Sequence, residues 1–268
     1  MTEPQATAPM PVPDRQSADA PASPTAGLVT YYQPFYNLNT GRMQGFKALA
    51  RLHEGSSDVP RTPGQFFAAA EAAEQMPEID EAIIEESLAQ TARWHREMGR
   101  PELIISINVS GQTVRGRVFA AAVAASVARH RVPGDRVLLD LTTDTFRSLL
   151  ADGADALAAI TSLQQREITF CLDSFTADDL ALLPRAAEVP VDIVKLHPRL
   201  VAANDERLAE TAKAVQAAGL PVVAAGVETR EQLVRVADLG FEWAQGFYLG
   251  APVSAAEALA HPEALTDL

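Results

Sequence analysis

Phe46-Lys47-Ala48-Leu49-Ala50-Arg51 reads as a β-strand. Apolar Phe46 opens it, Leu49 and Leu52 continue the apolar pattern, and turn residues bound it on both sides. Upstream, Asn37-Leu38-Asn39-Thr40-Gly41 is a turn signal joining it to the apolar run at residues 29–36, so a hairpin is predicted over 29–52. Lys47 is the exception in this pattern. It stands where a barrel strand aims a functional side chain, and its neighbours Ala48 and Leu49 offer it no partner. Taken alone, it reads as a strand-end lysine whose stem covers apolar surface while the ammonium reaches water. The rest of the chain gives it another reading.

The chain has 268 residues, enough for one large domain or two small ones, and a single α/β barrel fits that length. Its composition is that of a soluble globular protein with a net charge of -13. Such acidity argues against a polymeric nucleic-acid partner, which requires a basic stripe, but leaves room for a small anion held by a few local cations. The only cysteine, Cys171, lies in an apolar run and is assigned to the core, so no disulfide framework is possible. No basic segment followed by an apolar one opens the sequence, and no later run is apolar for long enough to span a membrane. A cytoplasmic protein without a membrane partner is expected.

Residues 1–26 are rich in Pro, Ala, Ser and Thr and show no periodicity. Such a segment buries too little apolar surface to offset its ordering entropy, and it is read as a disordered tail ahead of one barrel domain at 27–268. After the hairpin, helices are predicted at 63–75, with Pro63 in the first turn, and at 79–98. Strand 103–109, helix 111–130, strand 137–141 and helical residues to 165 follow. Next come strand 168–173, a short helix at 178–187, strand 193–196 and helix 199–218. Strand 221–227, helix 230–239, strand 244–249 and a closing helix at 255–261 complete the pattern.

Eight strands alternating with helices, apolar on both faces, predict an α/β fold of (β/α)8 barrel type. No glycine-rich dinucleotide fingerprint follows the first strand, which counts against an open doubly wound sheet. In such a barrel, function sits at the carboxyl ends of the strands. Those ends carry Arg51, Asn108, Asp140, Asp173, Lys195, Ala225 and Gln245. Charged and amide groups converging there are costly in a core, so a polar site is expected on that rim.

The rim residues and the motifs around them resemble the EAL domain family. The matching segments are Tyr31-Tyr32-Gln33-Pro34, Thr40-Gly41-Arg42, Ala48-Leu49-Ala50-Arg51 and Ile107-Asn108-Val109-Ser110. Further along they are Leu141-Thr142, Asp192-Ile193-Val194-Lys195, Gly226-Val227-Glu228-Thr229 and Gln245-Gly246-Phe247. That family comprises bacterial phosphodiesterases of cyclic di-GMP and their non-catalytic relatives. The resemblance implies a modified (β/α)8 barrel whose first strand runs antiparallel to the rest, in keeping with the hairpin. In active members, strand-end acids hold two divalent metals, Mg2+ or Mn2+, that activate water against a phosphodiester.

Set against that pattern, the carboxylate cluster is broken here. The glutamate of the naming motif is replaced by Lys47, and the fourth-strand glutamate by the shorter Asp140. Of two aspartates after the fifth strand Asp173 remains and the second is Ser174. His197 stands in place of an aspartate and Ala225 in place of a glutamate. Asn108, Lys195, Glu228 and Gln245 match. With Asp140 and Asp173 opposed by Lys47 and Lys195, the local charge falls from strongly negative to about zero. The resemblance therefore implies a degenerate site with no catalytic residue and no metal cofactor.

Loss of metals leaves the ligand open. Gln33, Leu49, Arg51, Asn108, Asp173, Lys195, Glu228, Gln245 and Pro252 match positions lining the family's cleft, and Arg51 is suited to a bidentate phosphate contact. The resemblance thus implies a cyclic di-GMP receptor, or else a module that has abandoned the nucleotide and acts through a protein partner; a homodimer is the candidate assembly. The family's Asp-Asp-Phe-Gly-Thr-Gly loop is Asp173-Ser174-Phe175-Thr176-Ala177-Asp178 here. Both glycines are absent, so any positive φ they supply becomes costly. Asp178 reads as a helix N-cap, and with Asp179 it would repel phosphate if it faced the cleft. A reading of another class is a Schiff-base barrel enzyme with Lys195 as nucleophile, but nearby Asp140 and Asp173 would hold its pKa up rather than down.

Overall fold

A computed structural model describes residues 24–53, 59–152, 154–186, 188–189, 191–203 and 206–265. Most of the predicted tail, residues 1–23, lies outside the described residues; residues 24–27 form a turn into the first strand, where Leu28 N–H donates to the Thr25 carbonyl at 3.1 Å. Strands β1 (Leu28–Asn37) and β2 (Met43–Leu52) form the expected hairpin. Its turn is fixed by the Asn37 side chain, whose Oδ1 accepts from the N–H groups of Asn39 and Thr40, both at 3.0 Å.

Helices α1 (Pro63–Ala72) and α2 (Met76–Arg96) come next, then β3 (Ile104–Asn108). The helix predicted over 111–130 is two pieces, α3 (Gly111–Val114) and α4 (Phe119–His130). Ser110 caps the first, and the chain turns at Gly116, whose N–H bonds back to the Thr113 carbonyl at 2.9 Å. Strand β4 (Val137–Thr142), helices α5 (Thr143–Asp152) and α6 (Ala154–Gln164) and strand β5 (Thr169–Phe175) follow. The helix expected over 178–187 is a 3-10 segment, Ala177–Arg185, with Pro184 inside it. Strand β6 (Ile193–Leu196) leads to α7 (Pro198–Ala202) and α8 (Glu206–Ala217), where one helix over 199–218 was expected. Strand β7 (Val222–Ala224), helix α9 (Arg230–Asp238) and strand β8 (Trp243–Gln245) close the barrel. The last two strands are shorter than predicted because Gly226 and Gly246 turn the chain out of the ladder, and the closing helix is only the 3-10 turn Ala258–Ala260.

The eight strands form a closed barrel in sequence order. β1 is antiparallel to both β2 and β8, and the other neighbours are parallel. Outward residues pack under the helices. Trp94 of α2, for example, meets Tyr32 edge-on at 4.9 Å and Phe46 at 4.7 Å. Each such buried aromatic contributes about 1.5–3 kcal/mol through removal from water. Inward residues form a separate cluster, Phe35, Ile104, Leu138, Cys171, Ile193 and Val223, with Trp243 against it. These residues make an apolar floor to the barrel.

Side chains alternate faces along a strand, so residues two positions nearer the carboxyl end form the next layer of the lumen. That layer is Gln33, Ser106, Asp140, Asp173, Lys195, Ala225 and Gln245, with Lys47 from β2. The period of two thus puts the charges directly over the floor. Among the described residues no helix is long and apolar enough to cross a membrane.

Gly45 lies one layer below Lys47, and a Cβ there would come within 2.0 Å of the Ile104 carbonyl oxygen. Gly45→Ala is therefore expected to cost about 1–3 kcal/mol of stability, the usual range for overpacking. Urea unfolding followed by circular dichroism measures it; an unchanged midpoint contradicts the tight β2–β3 approach.

Candidate functional site

Four of the predicted residues meet in the lumen. Lys47 Nζ lies 2.6 Å from Asp173 Oδ2 and 2.9 Å from Asp140 Oδ2. Lys195 Nζ lies 2.6 Å from Asp140 Oδ2 and 3.9 Å from Asp173 Oδ2. Around the barrel the two aspartates, on β4 and β5, are flanked by Lys47 on β2 and Lys195 on β6, and all four are buried. The solvent-reaching lysine is thus corrected: Lys47 is 8% exposed and its ammonium points inward. Desolvation of such ions costs several kcal/mol each, and close pairing of opposite charges is what offsets it.

Hydrogen bonds complete the cluster. Ser106 Oγ donates to Asp140 Oδ2 at 2.8 Å, and Ser174 N–H donates to Asp173 Oδ1 at 2.6 Å. Asp140 Oδ1 is buried and has no hydrogen-bond partner among the described residues. Burial pulls the pKa of Lys47 down, but Asp140 and Asp173 outweigh it and hold it above the ordinary lysine value. Burial pushes Asp173 up, yet Lys47, Lys195 and the Ser174 N–H outweigh that and keep its carboxyl well below the usual range. Both groups are charged at neutral pH.

Ser174 adopts φ 63°, a left-handed conformation unusual for a residue with a Cβ. It sits in a bulge, since Leu172 pairs with Val194 and Phe175 with Leu196, leaving one extra residue on β5. Asp173 follows inward Cys171 by the ordinary period of two, and the bulge after it turns Phe175 out to the core under the helices. The cost expected at the two lost glycines falls here instead: Thr176 is extended at φ -124°, and Asp178 is not among the residues with positive φ. Thr176, not Asp178, is the N-cap, and Asp179 completes a capping box by accepting from Thr176 N–H at 2.8 Å and Oγ1 at 2.7 Å. Asp179 is also bound by Arg147, and Asp178 is exposed.

The remaining candidates surround the cluster at different heights. Asn108 is half-buried, two residues above Ser106 and opposite Asp140 in the ladder. Leu49 and Arg51 continue up the Lys47 face of β2 and are half-buried. Arg51 stands over the Tyr31 ring, Cζ 5.4 Å from its centroid, and its Nη1 donates to the Ala50 carbonyl at 2.8 Å. Burial lowers its pKa from the ordinary value, but an arginine stays charged at neutral pH. Gln245 Nε2 donates to Gln33 Oε1 at 2.8 Å, and Gln33 Nε2 to the Gly250 carbonyl at 3.0 Å. Half-buried Pro252 follows in that segment, which bridges to β1 through Tyr32 and Val253.

Three candidates contribute no side-chain contact to the charges. His197 caps α7, its Nδ1 accepting from Arg199 N–H at 3.0 Å. Ala225 contributes no polar atom. Glu228 is exposed just before α9. Ser106 was missed by sequence reasoning, although the period of two running back from Asn108 marks it as inward-facing. Among the described residues no three His, Cys, Asp or Glu side chains gather so as to hold a metal ion.

Barrel, antiparallel first strand and polar carboxyl-end rim together define the class, and the chain belongs to the EAL domain family, whose pattern matches residues 21–252. One relative is the cyclic di-GMP phosphodiesterase PdeB of Shewanella oneidensis, 28% identical over 236 residues, 84% of this chain and 26% of that protein. Another is the bifunctional diguanylate cyclase/cyclic di-GMP phosphodiesterase MucR of Pseudomonas aeruginosa, 28% identical over 239 residues, 87% of this chain and 34% of that protein. The chain therefore spans only 26% and 34% of the length of these two curated relatives. Among solved structures, the PaMucR phosphodiesterase in complex with c-di-GMP superposes with a TM-score of 0.76 at 26% identity, covering 86% of this chain and 94% of that one. The FimX EAL domain of Xanthomonas citri, solved with c-diGMP, shares the fold at a TM-score of 0.74 and 20% identity, over 85% of this chain and 88% of that one.

Removing one member of the charge cluster leaves a buried carboxylate short of a partner. Lys47→Met is expected to cost about 3–5 kcal/mol in chemical unfolding. The folded Asp173 carboxyl titrates below its unfolded counterpart at about pH 3.9, so its contribution is present at neutral pH and is lost progressively as pH falls from there through the lower folded value. The stability gap between wild type and Asp173→Asn should accordingly narrow below about pH 4. A gap that stays constant down to pH 2 or so removes the pairing of Asp173 with Lys47 as its origin.

Proposed function

We propose that this chain is a cyclic di-GMP receptor that does not hydrolyse its ligand and takes it at the carboxyl face of the barrel without divalent metal. The observation that carries the reading is the double pairing of Lys47, 2.6 Å from Asp173 and 2.9 Å from Asp140. A divalent ion needs carboxylate oxygens turned to it at about 2.0–2.6 Å. Here Asp140 Oδ2 already accepts from Ser106 and Lys195 and pairs with Lys47, while Asp173 accepts from Lys47 and Ser174. A unit charge 4 Å from another repels it by about 4 kcal/mol even at an effective dielectric of 20, and a divalent ion doubles that. Two carboxylates and a carboxamide against two ammonium groups do not fit a metal pair.

Ligand capture asks for less. Cyclic di-GMP carries two phosphates and two guanines. Arg51 offers it a guanidinium with no carboxylate partner among the described residues, able to form two parallel charge-assisted bonds to a phosphate. Lys47 and Lys195 supply positive charge below. Gln33, Leu49, Asn108, Asp173, Gln245 and Pro252 line the cleft around them, with Glu228 farther out on the rim. A second reading, a barrel that works through a protein partner or as a homodimer and no longer takes the nucleotide, has one observation behind it. Phe247 is 66% and Tyr248 38% exposed on the turn after β8.

Calorimetric titration with cyclic di-GMP in the presence of chelator tests the proposal. Saturable binding is expected with no linear product formed, and Arg51→Ala should weaken it by about 1.5–3 kcal/mol. Lys47→Glu should weaken it too, by setting a carboxylate beside the phosphates. No saturable binding up to millimolar ligand defeats the receptor reading in favour of the protein-interaction one. Chelator-sensitive turnover at about 1 per second or faster would make the chain an enzyme.

A further inference from the structure

We propose that Tyr31 is a positioning residue that holds the Arg51 guanidinium ready for an anion; the identity of that anion as a phosphate of cyclic di-GMP rests on the receptor reading above. In the hairpin ladder Val29 pairs with Arg51 and Tyr31 with Leu49, so Tyr31 and Arg51 are diagonal neighbours on one face. At that offset a long side chain reaches an aromatic one, and Arg51 Cζ lies 5.4 Å from the Tyr31 ring centroid. The ring attracts the cation through its negative face, and the contact strengthens as the site is desolvated.

A second contact fixes the rotation about the stack. Nη1 donates to the Ala50 carbonyl at 2.8 Å, which occupies the edge of the guanidinium nearest its own stem. The opposite edge, Nε with Nη2, has no partner among the described residues. That edge is the fork that matches two oxygens of a phosphate. A free arginine surrenders much rotamer entropy when it binds, about 2 kcal/mol for the full side chain, whereas one already stacked and tethered surrenders less. Tyr31 acts through Arg51 rather than on the ligand, and its ring, not its hydroxyl, does so.

The test is a double-mutant cycle read by cyclic di-GMP titration in chelator, with Tyr31→Leu, Tyr31→Phe, Arg51→Ala and the Tyr31→Leu/Arg51→Ala pair. Tyr31→Leu is expected to weaken binding about threefold to tenfold and Tyr31→Phe to leave it unchanged. In the Arg51→Ala background, Tyr31→Leu should have no further effect. Equal losses in both Tyr31 variants, or a full loss in the Arg51→Ala background, overturn the proposal. A ligand-free measurement separates this from failure of the receptor reading. The Arg51 Nε–H resonance should be shifted upfield by the ring in wild type and Tyr31→Phe, and return to its ordinary position in Tyr31→Leu. If wild type binds no cyclic di-GMP yet shows that shift, the positioning stands and only the ligand is wrong. An Arg51 resonance identical in all three proteins overturns it.

Discussion

Two lysines and two aspartates sharing one desolvated layer is the constraint on which the rest of the barrel depends. The layer beneath is wholly apolar, so nothing below can solvate a charge, and the lumen is too narrow for the side chains to turn away. The sum of charge in that layer must therefore be close to neutral, and each ion must lie against its opposite. Removing any one leaves a bare ion, which is why the four behave as a unit rather than as two independent pairs. Ser106 matters for the same reason, as it gives Asp140 an added donor in a place where water cannot.

The backbone around Asp173 is shaped by that demand. A regular β5 would carry Asp173 and Phe175 on the same face, one into the charges and one into more of them. The bulge at Ser174 breaks this alternation, leaving Asp173 in the lumen and returning Phe175, fully buried, to the core under the helices. A left-handed serine costs about 1–2 kcal/mol relative to a relaxed one. The N–H it turns toward Asp173 Oδ1 recovers part of this. Beyond it, the capping box of Thr176 and Asp179 and the Arg147 contact tie the following segment to α5. The loop is thus braced from both ends.

Much of this was legible in the sequence, and the parts that were not have a common cause. The barrel and its hairpin follow from local signals: apolar runs alternating with helical periods, and Asn37 opening a tight turn. The rim residues follow from strand ends. What local pattern misses is distance. Lys47 has no partner within reach along the chain because Asp173 is 126 residues away, and only closure of the barrel brings them together. Helix breaks at Gly116 and after Ala202 were overrun by an alanine-rich pattern that favours helix throughout. The place of His197 just after Lys195 points to the site. Its position just before Pro198, at the start of a helix, was the better clue, because that is where a capping side chain belongs. Thr176-Ala177-Asp178-Asp179 likewise carries the spacing of a capping box, which moves the cap two residues upstream of Asp178.

The reversed direction of β1 sets where the barrel is joined to anything ahead of it. Because β1 opposes its neighbours, it starts at the carboxyl-end rim: Leu28 pairs with Leu52, Val29 with Arg51, and the Gly27 carbonyl accepts from His53 N–H at 2.9 Å. A first strand parallel to the others would enter at the apolar floor, a full barrel height from the charges. Here a tether upstream pulls on the mouth itself, within a few residues of Tyr31 and Arg51. In mechanical terms the joint has a very short lever arm, so load or displacement on that side reaches the rim without having to pass through the packed core.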